Sequence, residues 1–483
     1  MKRGINILRT RSRIELINDT LRAIAGNSCR CPAHSPGLSN SSLSPQHRHV
    51  SSSDNISTDY AYEVASSNVR IGRGATREVG KDLVNRGVKR VMLFTDKNLM
   101  LQTPFSATEK ALRDENIEFD VFSEVRVEPT DYSFKEAIDR AQLGQYEGFV
   151  AVGGGSVMDT AKVARLFDMY PEKDFLDFVN QPIGKGEPIL RQLKPLICIP
   201  TTSGTGSETT GMAIFDLKSM NAKTGFSNRA LCPTLAIVDP LNTLSMPKNV
   251  AIYSGLDVLC HACESYTAIP YYKRSPVPVN PMLRPAHQGR NPISDIWAVE
   301  ALKLINKYFL RSVDTIEDEE ASAQMSFASV LGGIGFGNAG VHLCHAISYA
   351  ISGSVRKFCP PGYSPDHPII PHGLSVIMTA PAVFNEIGYV EPDRCIQLAG
   401  LLGARINNIK TEDAGRCLSD HLCKLMNKLD IPNGLSALGF SPEDIPMLVK
   451  KTLPQERLTK LSSNPVTPSL LESIIHKSMN VYN

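Results

Sequence analysis

Five residues in the second half of the chain have side chains that commonly hold metal ions, and their spacing would bring them together. Asp257 and His261 lie four residues apart in GLDVLCHACES, so on a helix both project from one face. His342 and His345 repeat this arrangement at a spacing of three in VHLCH, and His372 follows in IPHG. Because carboxylates and imidazoles suit divalent cations such as iron and zinc, the sequence predicts a metal site.

The same residues also have simpler explanations. A single histidine is more often a packed core or surface residue than a ligand, so the combination carries the argument. Cys260 and Cys263 flank His261 as C-x-x-C, but no second C-x-x-C completes a zinc cage, and no strand precedes the pair as in a redox dithiol. We interpret both cysteines as residues that pack the helix.

A second group of candidate residues follows an apolar run in the first half of the chain. The run at 148–152 (GFVAV) leads into a glycine turn, Gly153 to Ser156, and then into a helical pattern that contains Asp159 and Lys162. Glycines let the backbone approach a pyrophosphate closely, and the N–H groups at a helix N-terminus attract its charge. The alternative is a tight turn that binds no ligand.

Two further segments could contact a nucleotide. Asp96 ends an apolar run, where its carboxylate would accept hydrogen bonds from a ribose and repel a 2′-phosphate, which favours NAD over NADP. An aspartate in a solvated turn is equally common at such a position. TTSGTGSE at 201–208 follows another apolar run and offers hydroxyls and backbone amides, or is simply a polar loop.

The hydrophobic pattern indicates the scaffold that positions these residues. Short apolar runs alternate with helix-like stretches and predict a parallel, Rossmann-like α/β domain over 56–245; the runs are 90–95, 148–152, 196–199 and 235–238. From 246 to 483 the strand signals give way to long amphipathic patterns at 296–309, 323–331 and 417–429, which predict an all-helical domain. Gly335, Gly337 and Gly340 match G-x-G-x-x-G but follow no strand, so we interpret them as close helix packing.

Composition limits the function classes. A chain of 483 residues with 42% hydrophobic and 21% charged residues is typical of a globular protein of two or three domains. A net charge of +2 provides no general attraction to nucleic acid or membranes, and no apolar stretch reaches the ~20 residues of a membrane-spanning helix. Eleven cysteines at irregular spacing indicate reduced thiols. Small molecules are therefore the expected ligands.

Residues 1–55 differ from the remainder of the chain. They contain many arginines and serines and few acidic residues, which is the composition of a mitochondrial transit peptide. The alternative is a disordered N-terminal tail without a targeting role. In either case the segment is excluded from the predicted fold.

Five motifs together resemble those of a known family. GGGSVMDTAK, TTSGTGSE, GLDVLCHACES, VHLCH and IPHG resemble, in order and spacing, the successive motifs of the iron-containing (group III) alcohol dehydrogenases, from about residue 68 to the C-terminus. The resemblance implies a dehydroquinate synthase-like architecture, with an α/β dinucleotide-binding domain, a helical metal-binding domain and a cleft between them. It also implies a metal- and NAD-dependent oxidoreductase.

The resemblance further implies individual roles. Four residues would be the metal ligands: Asp257, His261, His342 and His372. His345 would be a nearby proton relay and the catalytic residue. The implied NAD contacts are Asp96, Gly153, Gly154, Gly155, Ser156, Asp159, Lys162, Thr201, Thr202, Thr210 and Lys223.

Departures from the compact family pattern resemble one mitochondrial branch, whose members couple a hydroxy acid to an oxoacid. They are the transit-like leader, STDYAYEVASSNVRIG, and Pro-rich insertions at 266–291 and 351–371. The branch implies oxidation of 4-hydroxybutyrate to succinate semialdehyde with reduction of 2-oxoglutarate to 2-hydroxyglutarate in the mitochondrial matrix. It also implies tightly bound NAD(H), Fe(II) in preference to Zn(II) and a homo-oligomer, with no nucleic-acid or membrane partner.

Three questions stay open at this point. Substrate carboxylates need cationic anchors, for which Lys273, Arg274, Arg284 and Arg290 in the first insertion are our hypothesis; a solvated or oligomer-contacting loop is the alternative. An ordinary NAD-dependent alcohol dehydrogenase with exchangeable cofactor would share every motif. A dehydroquinate synthase-like lyase shares the architecture, but its metal set resembles Glu and His pairs.

Overall fold

A six-stranded parallel sheet forms the centre of the first half of the chain in the computed structural model, which describes residues 58–220, 222–315, 317–363 and 367–482. The strands are β1 (Asn68–Ile71), β2 (Arg90–Phe94), β3 (Glu118–Phe122), β4 (Gly148–Gly153), β5 (Leu196–Pro200), β6 (Met212–Leu217), β7 (Ala222–Ser227) and β8 (Leu235–Val238). The order in the sheet is β1-β8-β5-β4-β2-β3, and every neighbouring pair is parallel. β6 and β7 form a separate antiparallel hairpin.

Helices cover both faces of this sheet. They are α1 (Val79–Val84), α2 (Thr103–Asp114), α3 (Asp131–Leu143) and α4 (Gly155–Met169). Side chains of a strand alternate between faces, so in β2 Val91 packs with the layer of α1 and α2, whereas Met92 packs with that of α3 and α4. Burial on both faces explains why the central strands are continuous apolar runs in the sequence.

The second half of the chain consists of helices joined by loops, and its described residues contain no strand. Its helices are α5 (Lys248–Thr267), α6 (Pro292–Asp314), α7 (Glu319–Ala339), α8 (Leu343–Ser352), α9 (His372–Ile377), α10 (Ala380–Ile387), α11 (Pro392–Leu401), α12 (Ala414–Lys428), α13 (Gly434–Ala437), α14 (Ile445–Thr452), α15 (Glu456–Thr459) and α16 (Pro468–Lys477). One large apolar core joins them, and α5 lies within it because most of its residues, polar ones included, are buried.

The predicted fold class is confirmed: a parallel α/β half precedes a helical half. The four predicted strands and three predicted helices all appear, but β1, β3 and the β6–β7 hairpin were missed. Gly335 lies inside α7, and a Cβ there would lie 3.5 Å from the Ser294 carbonyl oxygen in α6, an ordinary van der Waals distance, so close helix packing at these glycines stays a prediction. The predicted leader, 1–55, lies outside the described residues.

The two halves pack against each other so closely that the described residues belong to a single compact unit. The division near residue 245 therefore stays a prediction about domains, although the chain changes there from β8 to α5. Among the described residues, no single helix has the length and hydropathy of a membrane span. α7 and α8 meet that criterion only as a pair, and they are bent by 101°.

Candidate metal and nucleotide site

A cavity of about 440 Å³ lies where the carboxyl ends of the parallel strands face the helical half. The turn from β4 to α4 lines one side of this cavity, and α5, α8 and α9 line the other. Open parallel sheets commonly bind ligands at this edge. The two groups of residues selected from the sequence thus face the same space.

A carboxylate and three imidazoles converge in the cavity: Asp257 and His261 from α5, His345 from α8 and His372 from α9. One nitrogen or oxygen from each lies within 4.8 Å of those of the others. Asp257 Oδ1 lies 3.6 Å from His261 Nε2, 3.4 Å from His345 Nε2 and 3.8 Å from His372 Nε2. Such a donor set, with one oxygen and three nitrogens, suits iron or zinc.

Two of the four converging atoms have no hydrogen-bond partner in the described part of the chain. Asp257 Oδ1 and His345 Nε2 are buried, and neither makes a hydrogen bond among the described residues. An unpaired polar atom in the interior costs free energy, so its presence calls for an explanation such as a bound ion. The residues therefore fit a divalent cation.

The electrostatics of the group also favour a cation. Burial alone would raise the pKa of Asp257, but the neighbouring imidazoles lower it well below its ordinary value, so the carboxylate is ionised. Burial lowers the pKa of His261 to about 3 and also lowers that of His372, which keeps both rings neutral and able to bind a metal. His345 differs: burial opposes its charge, but Glu264 and Asp257 raise its pKa to about 9.

Glu264 is the residue that holds His345, and the sequence analysis missed it. Its carboxylate accepts a hydrogen bond from His345 Nδ1 and others from the backbone N–H groups of His342, at 2.9 Å, and Cys344, at 2.8 Å. His345 Nε2 is thereby turned toward Asp257. The signal was available, because Glu264 lies seven residues after Asp257 and so on the same face of α5.

The geometry corrects the roles predicted for the VHLCH motif. His342 is not part of the converging group: its Nε2 hydrogen-bonds Thr267 Oγ1 at 2.9 Å, and its side chain is fully buried away from the cavity. His345, predicted as a proton relay, occupies the third histidine position of the group instead. The physical reason is that α8 begins only at Leu343, so His342 precedes the helix in a non-helical conformation and does not share a face with His345.

On the nucleotide side, every predicted contact except Gly153 and Lys162 lines the cavity; those that do are Asp96, Gly154, Gly155, Ser156, Asp159, Thr201, Thr202, Thr210 and Lys223. Gly155 begins α4 directly after β4. A Cβ at Gly155 would come within 2.7 Å of Thr205 Cγ2, so only glycine lets the two loops approach this closely. The free N–H groups at the N-terminus of α4 therefore face open space in the cavity.

Several of the predicted contacts already have partners within the protein. The fully buried Lys162 donates to Ser207 Oγ at 2.6 Å and to the Met212 carbonyl at 2.7 Å, so it supports the cavity wall. Asp159 accepts from Ser207 Oγ at 2.6 Å. Lys223 contacts Glu128 and lies 3.3 Å from Asp216 Oδ1.

Asp96 is a turn residue that also lines the cavity. Its Oδ1 accepts hydrogen bonds from the N–H groups of Asn98 and Leu99, at 2.9 and 3.1 Å, which makes it a turn residue. It also lines the cavity, and burial raises its pKa. Oδ1 therefore serves the turn, and the ribose contact stays a prediction.

The hypothetical carboxylate anchors of the first insertion lie elsewhere. Lys273, Arg274, Arg284 and Arg290 do not line the cavity. Arg284 pairs with Asp59 at 2.9 Å and Arg290 with Glu391 at 2.8 Å. The second insertion does reach the cavity through Tyr363, a contact that the sequence did not indicate.

Comparison with known proteins identifies the family. The model described as "Iron-containing alcohol dehydrogenase" matches residues 66–240, and that described as "Fe-containing alcohol dehydrogenase family, C-terminal" matches residues 286–479. The chain belongs to the iron-containing alcohol dehydrogenase family.

Within this family, the chain is similar to several named proteins. The chain is 52% identical over 472 residues to the mitochondrial hydroxyacid-oxoacid transhydrogenase of Rattus norvegicus, covering 96% of this chain and 98% of the relative. It is 51% identical to the protein of that name from Homo sapiens, with 96% and 97% covered. An archaeal alcohol dehydrogenase from a Red Sea brine pool superimposes with a TM-score of 0.75 at 26% identity, covering 87% of this chain and 99% of that one.

Proposed function

We propose that this chain catalyses hydroxyacid-oxoacid transhydrogenation. The reaction is oxidation of 4-hydroxybutyrate to succinate semialdehyde, coupled to reduction of 2-oxoglutarate to 2-hydroxyglutarate through bound NAD(H). The observation that carries the proposal is the convergence of Asp257, His261, His345 and His372 in the cavity that the β4–α4 turn also lines. The names of relatives about half identical along nearly the whole chain support the choice of substrates.

Each group of residues has a role that follows from its geometry. Asp257 and the three imidazoles would hold the cation, and Glu264 orients His345 toward it. The α4 N-terminus would bind the pyrophosphate, and Oδ2 of Asp96 would bind the ribose. A bound divalent cation would supply Lewis acidity that lowers the pKa of a substrate hydroxyl, and bound NAD(H) would accept and return the hydride.

The cavity wall next to the four converging residues is largely apolar. Phe336 stacks on the ring of His261 with a centroid distance of 3.8 Å, and Val341 and Ile369 line the same space. Apolar walls exclude water, which would otherwise compete with the substrate and weaken the electrostatic contacts inside the cavity. The same wall holds the His261 ring in place.

The ion, the cofactor and the compartment can be specified further. Fe(II) is the proposed ion, on the strength of the family, because the ligand types alone accept Zn(II) as well. NAD(H) stays bound between the half-reactions, since the hydride taken from one acid must reach the other. The enzyme would act in the mitochondrial matrix as a homo-oligomer, and residues 1–55 would be the targeting segment; the relatives carry mitochondrial names.

Coupled turnover without added nucleotide tests the proposal. Purified protein is mixed with 4-hydroxybutyrate and 2-oxoglutarate, and both products are measured together with any NADH in solution. We expect succinate semialdehyde and 2-hydroxyglutarate in equal amounts, with no free NADH. An ordinary dehydrogenase would instead need added NAD and release NADH, and that result would refute the proposal.

Two variants make this experiment specific. Asp257→Asn removes the only carboxylate of the group and should abolish turnover, because the remaining ligands hold a cation poorly. Asp393→Asn is the matched control: it makes the same chemical change at an exposed residue of α11 and should leave turnover unchanged. Equal activity of both variants would contradict the assignment of the site.

A further inference from the structure

Tyr349 stands next to the four converging residues without belonging to them. It follows His345 by one turn of α8, so both side chains face the cavity. Its ring centroid lies 6.2 Å from that of His372, and the residue is buried. A substrate whose hydroxyl lies beside the four converging residues would therefore lie close to Tyr349.

The tyrosine hydroxyl is oriented by Arg457. Arg457 Nη2 lies 3.3 Å from the Tyr349 hydroxyl oxygen, and its Nη1 lies 3.2 Å from His287 Nδ1. A guanidinium only donates hydrogen bonds, so the tyrosine oxygen must accept and its own O–H is left to donate. No acceptor for that O–H is found among the residues that the structure describes.

Arg457 also carries an uncompensated charge. Within the described part of the chain, no carboxylate forms an ion pair with it, and its remaining hydrogen-bond partner is Met212 Sδ at 3.7 Å. Lys223, a cation that does line the cavity, contacts two carboxylates, those of Glu128 and Asp216. A substrate anion would therefore be attracted to the Tyr349–Arg457 pair more than to Lys223.

We propose that Tyr349, held by Arg457, binds the carboxylate of the hydroxy acid and oxoacid substrates that lies farther from the reacting carbon. This inference rests on the proposed transhydrogenase function and adds the subsite that distinguishes acids from simple alcohols. The four bonds between the hydroxyl oxygen and the carboxyl carbon of a 4-hydroxy acid span about 5 Å when extended. The Tyr349 ring, whose centroid lies 6.2 Å from that of His372, is near enough to meet a substrate of this length.

In this arrangement Tyr349 contacts the substrate, whereas Arg457 acts through it as a positioning residue. The position of Arg457 is itself fixed, because Gln455 Nε2 donates to the Lys223 carbonyl at 2.9 Å and ties the start of α15 to β7. Loss of either side chain should weaken binding of a carboxylate without altering the four ligands. A role of Tyr349 in proton transfer would instead slow every alcohol equally.

The test uses Tyr349→Phe, Arg457→Met and Arg457→Lys in the full-length enzyme as purified. Lys460→Met is the matched control, since it removes a positive charge from an exposed residue just after α15. For each protein, kcat and KM are measured with 4-hydroxybutyrate and with butan-1-ol, which has no carboxylate. Acetaldehyde, which also has no carboxylate, is the hydride acceptor in both assays. Calorimetry gives the affinity for 2-oxoglutarate, and thermal melting confirms folding.

We expect Tyr349→Phe and Arg457→Met to raise KM for 4-hydroxybutyrate and weaken 2-oxoglutarate binding by about 10-fold to 100-fold, as for lost hydrogen bonds to a charged group. Turnover of butan-1-ol and the kcat for the acid should change little, and Arg457→Lys should recover part of the affinity. Unchanged affinity in folded variants, or an equal fall of kcat for both alcohols, would overturn the inference. If the wild type failed to couple the two acids, the proposed function would fall, while the calorimetry would still decide whether Tyr349 binds carboxylates.

Discussion

Replacing Glu264 with glutamine should weaken metal binding without removing any ligand. The wild-type carboxylate accepts from His345 Nδ1 with one oxygen and from the backbone N–H groups at the start of α8 with the other. Glutamine has nearly the same volume, but one of its two terminal atoms is an NH2 group that cannot accept. Glu264→Gln therefore leaves either the imidazole or the helix terminus facing another donor.

The size of the effect follows from the role of Glu264 as the partner that orients His345. Loss of a partner that orients a ligating histidine typically costs 10-fold to 100-fold in metal affinity, which is about 1.4 to 2.8 kcal/mol. Glu264 is fully buried, so water cannot replace the missing acceptor. We therefore expect an effect toward the upper end of this range.

Competition with a chromophoric chelator, supported by elemental analysis of the purified protein, measures the metal affinity. Glu391→Gln is the matched control, because Glu391 makes an ion pair with Arg290 at 2.8 Å and does not contact the four ligands. The control should bind metal like the wild type. A folded Glu264→Gln protein with wild-type metal affinity would refute the idea that Glu264 sets the position of His345.

Three further predictions follow from the site and its surroundings. Glu264 and Asp257 overcome burial and raise the pKa of His345 to about 9. The metal-free protein at pH 7.5 should therefore release about one proton for each divalent ion that it binds. Calorimetric titrations with metal in buffers of different ionisation heat measure this release, and equal enthalpies in all buffers would contradict it. Burial raises the pKa of Glu208 from 4.5 to about 7, so this group should reduce stability as the pH rises from about 4.5 through 7, by up to about 3 kcal/mol. Glu208→Gln should remove that part of the pH dependence in denaturant titrations, and an unaltered pH profile would count against it. Gly155→Ala places a Cβ within 2.7 Å of Thr205 Cγ2, so the turn between β4 and α4 must shift. This shift should lower the NAD content of the purified protein by at least about 10-fold. A wild-type NAD content would show that the turn tolerates a side chain.

The architecture was predictable where the sequence pattern reflects burial. Strands covered on both faces appear as continuous apolar runs, so β2, β4, β5 and β8 could be found. The hairpin of β6 and β7 could not, because β7 (AKTGFS) has no such run. Its burial arises from packing against distant parts of the chain.

The candidate metal site was predictable where two of its four residues lie inside one helix. Asp257 and His261 belong to α5, so their spacing of four predicted a shared face, and the structure brings them together. The same reasoning failed for His342 and His345 because a helix boundary falls between them. Boundaries depend on local capping and on tertiary interactions, here the hydrogen bonds from backbone N–H groups to Glu264, which lies far away in the sequence.

Transfer of deuterium between the two acids distinguishes a retained nicotinamide from an exchanging one. The enzyme is given 4-hydroxybutyrate labelled with deuterium at C4, together with 2-oxoglutarate and an excess of unlabelled NADH. If hydride passes through one nicotinamide held beside the four ligands, each 2-hydroxyglutarate formed should carry one deuterium at C2, whatever the amount of added NADH. Deuterium that is diluted by the added NADH, or lost to water, would contradict a hydride transfer through one bound cofactor.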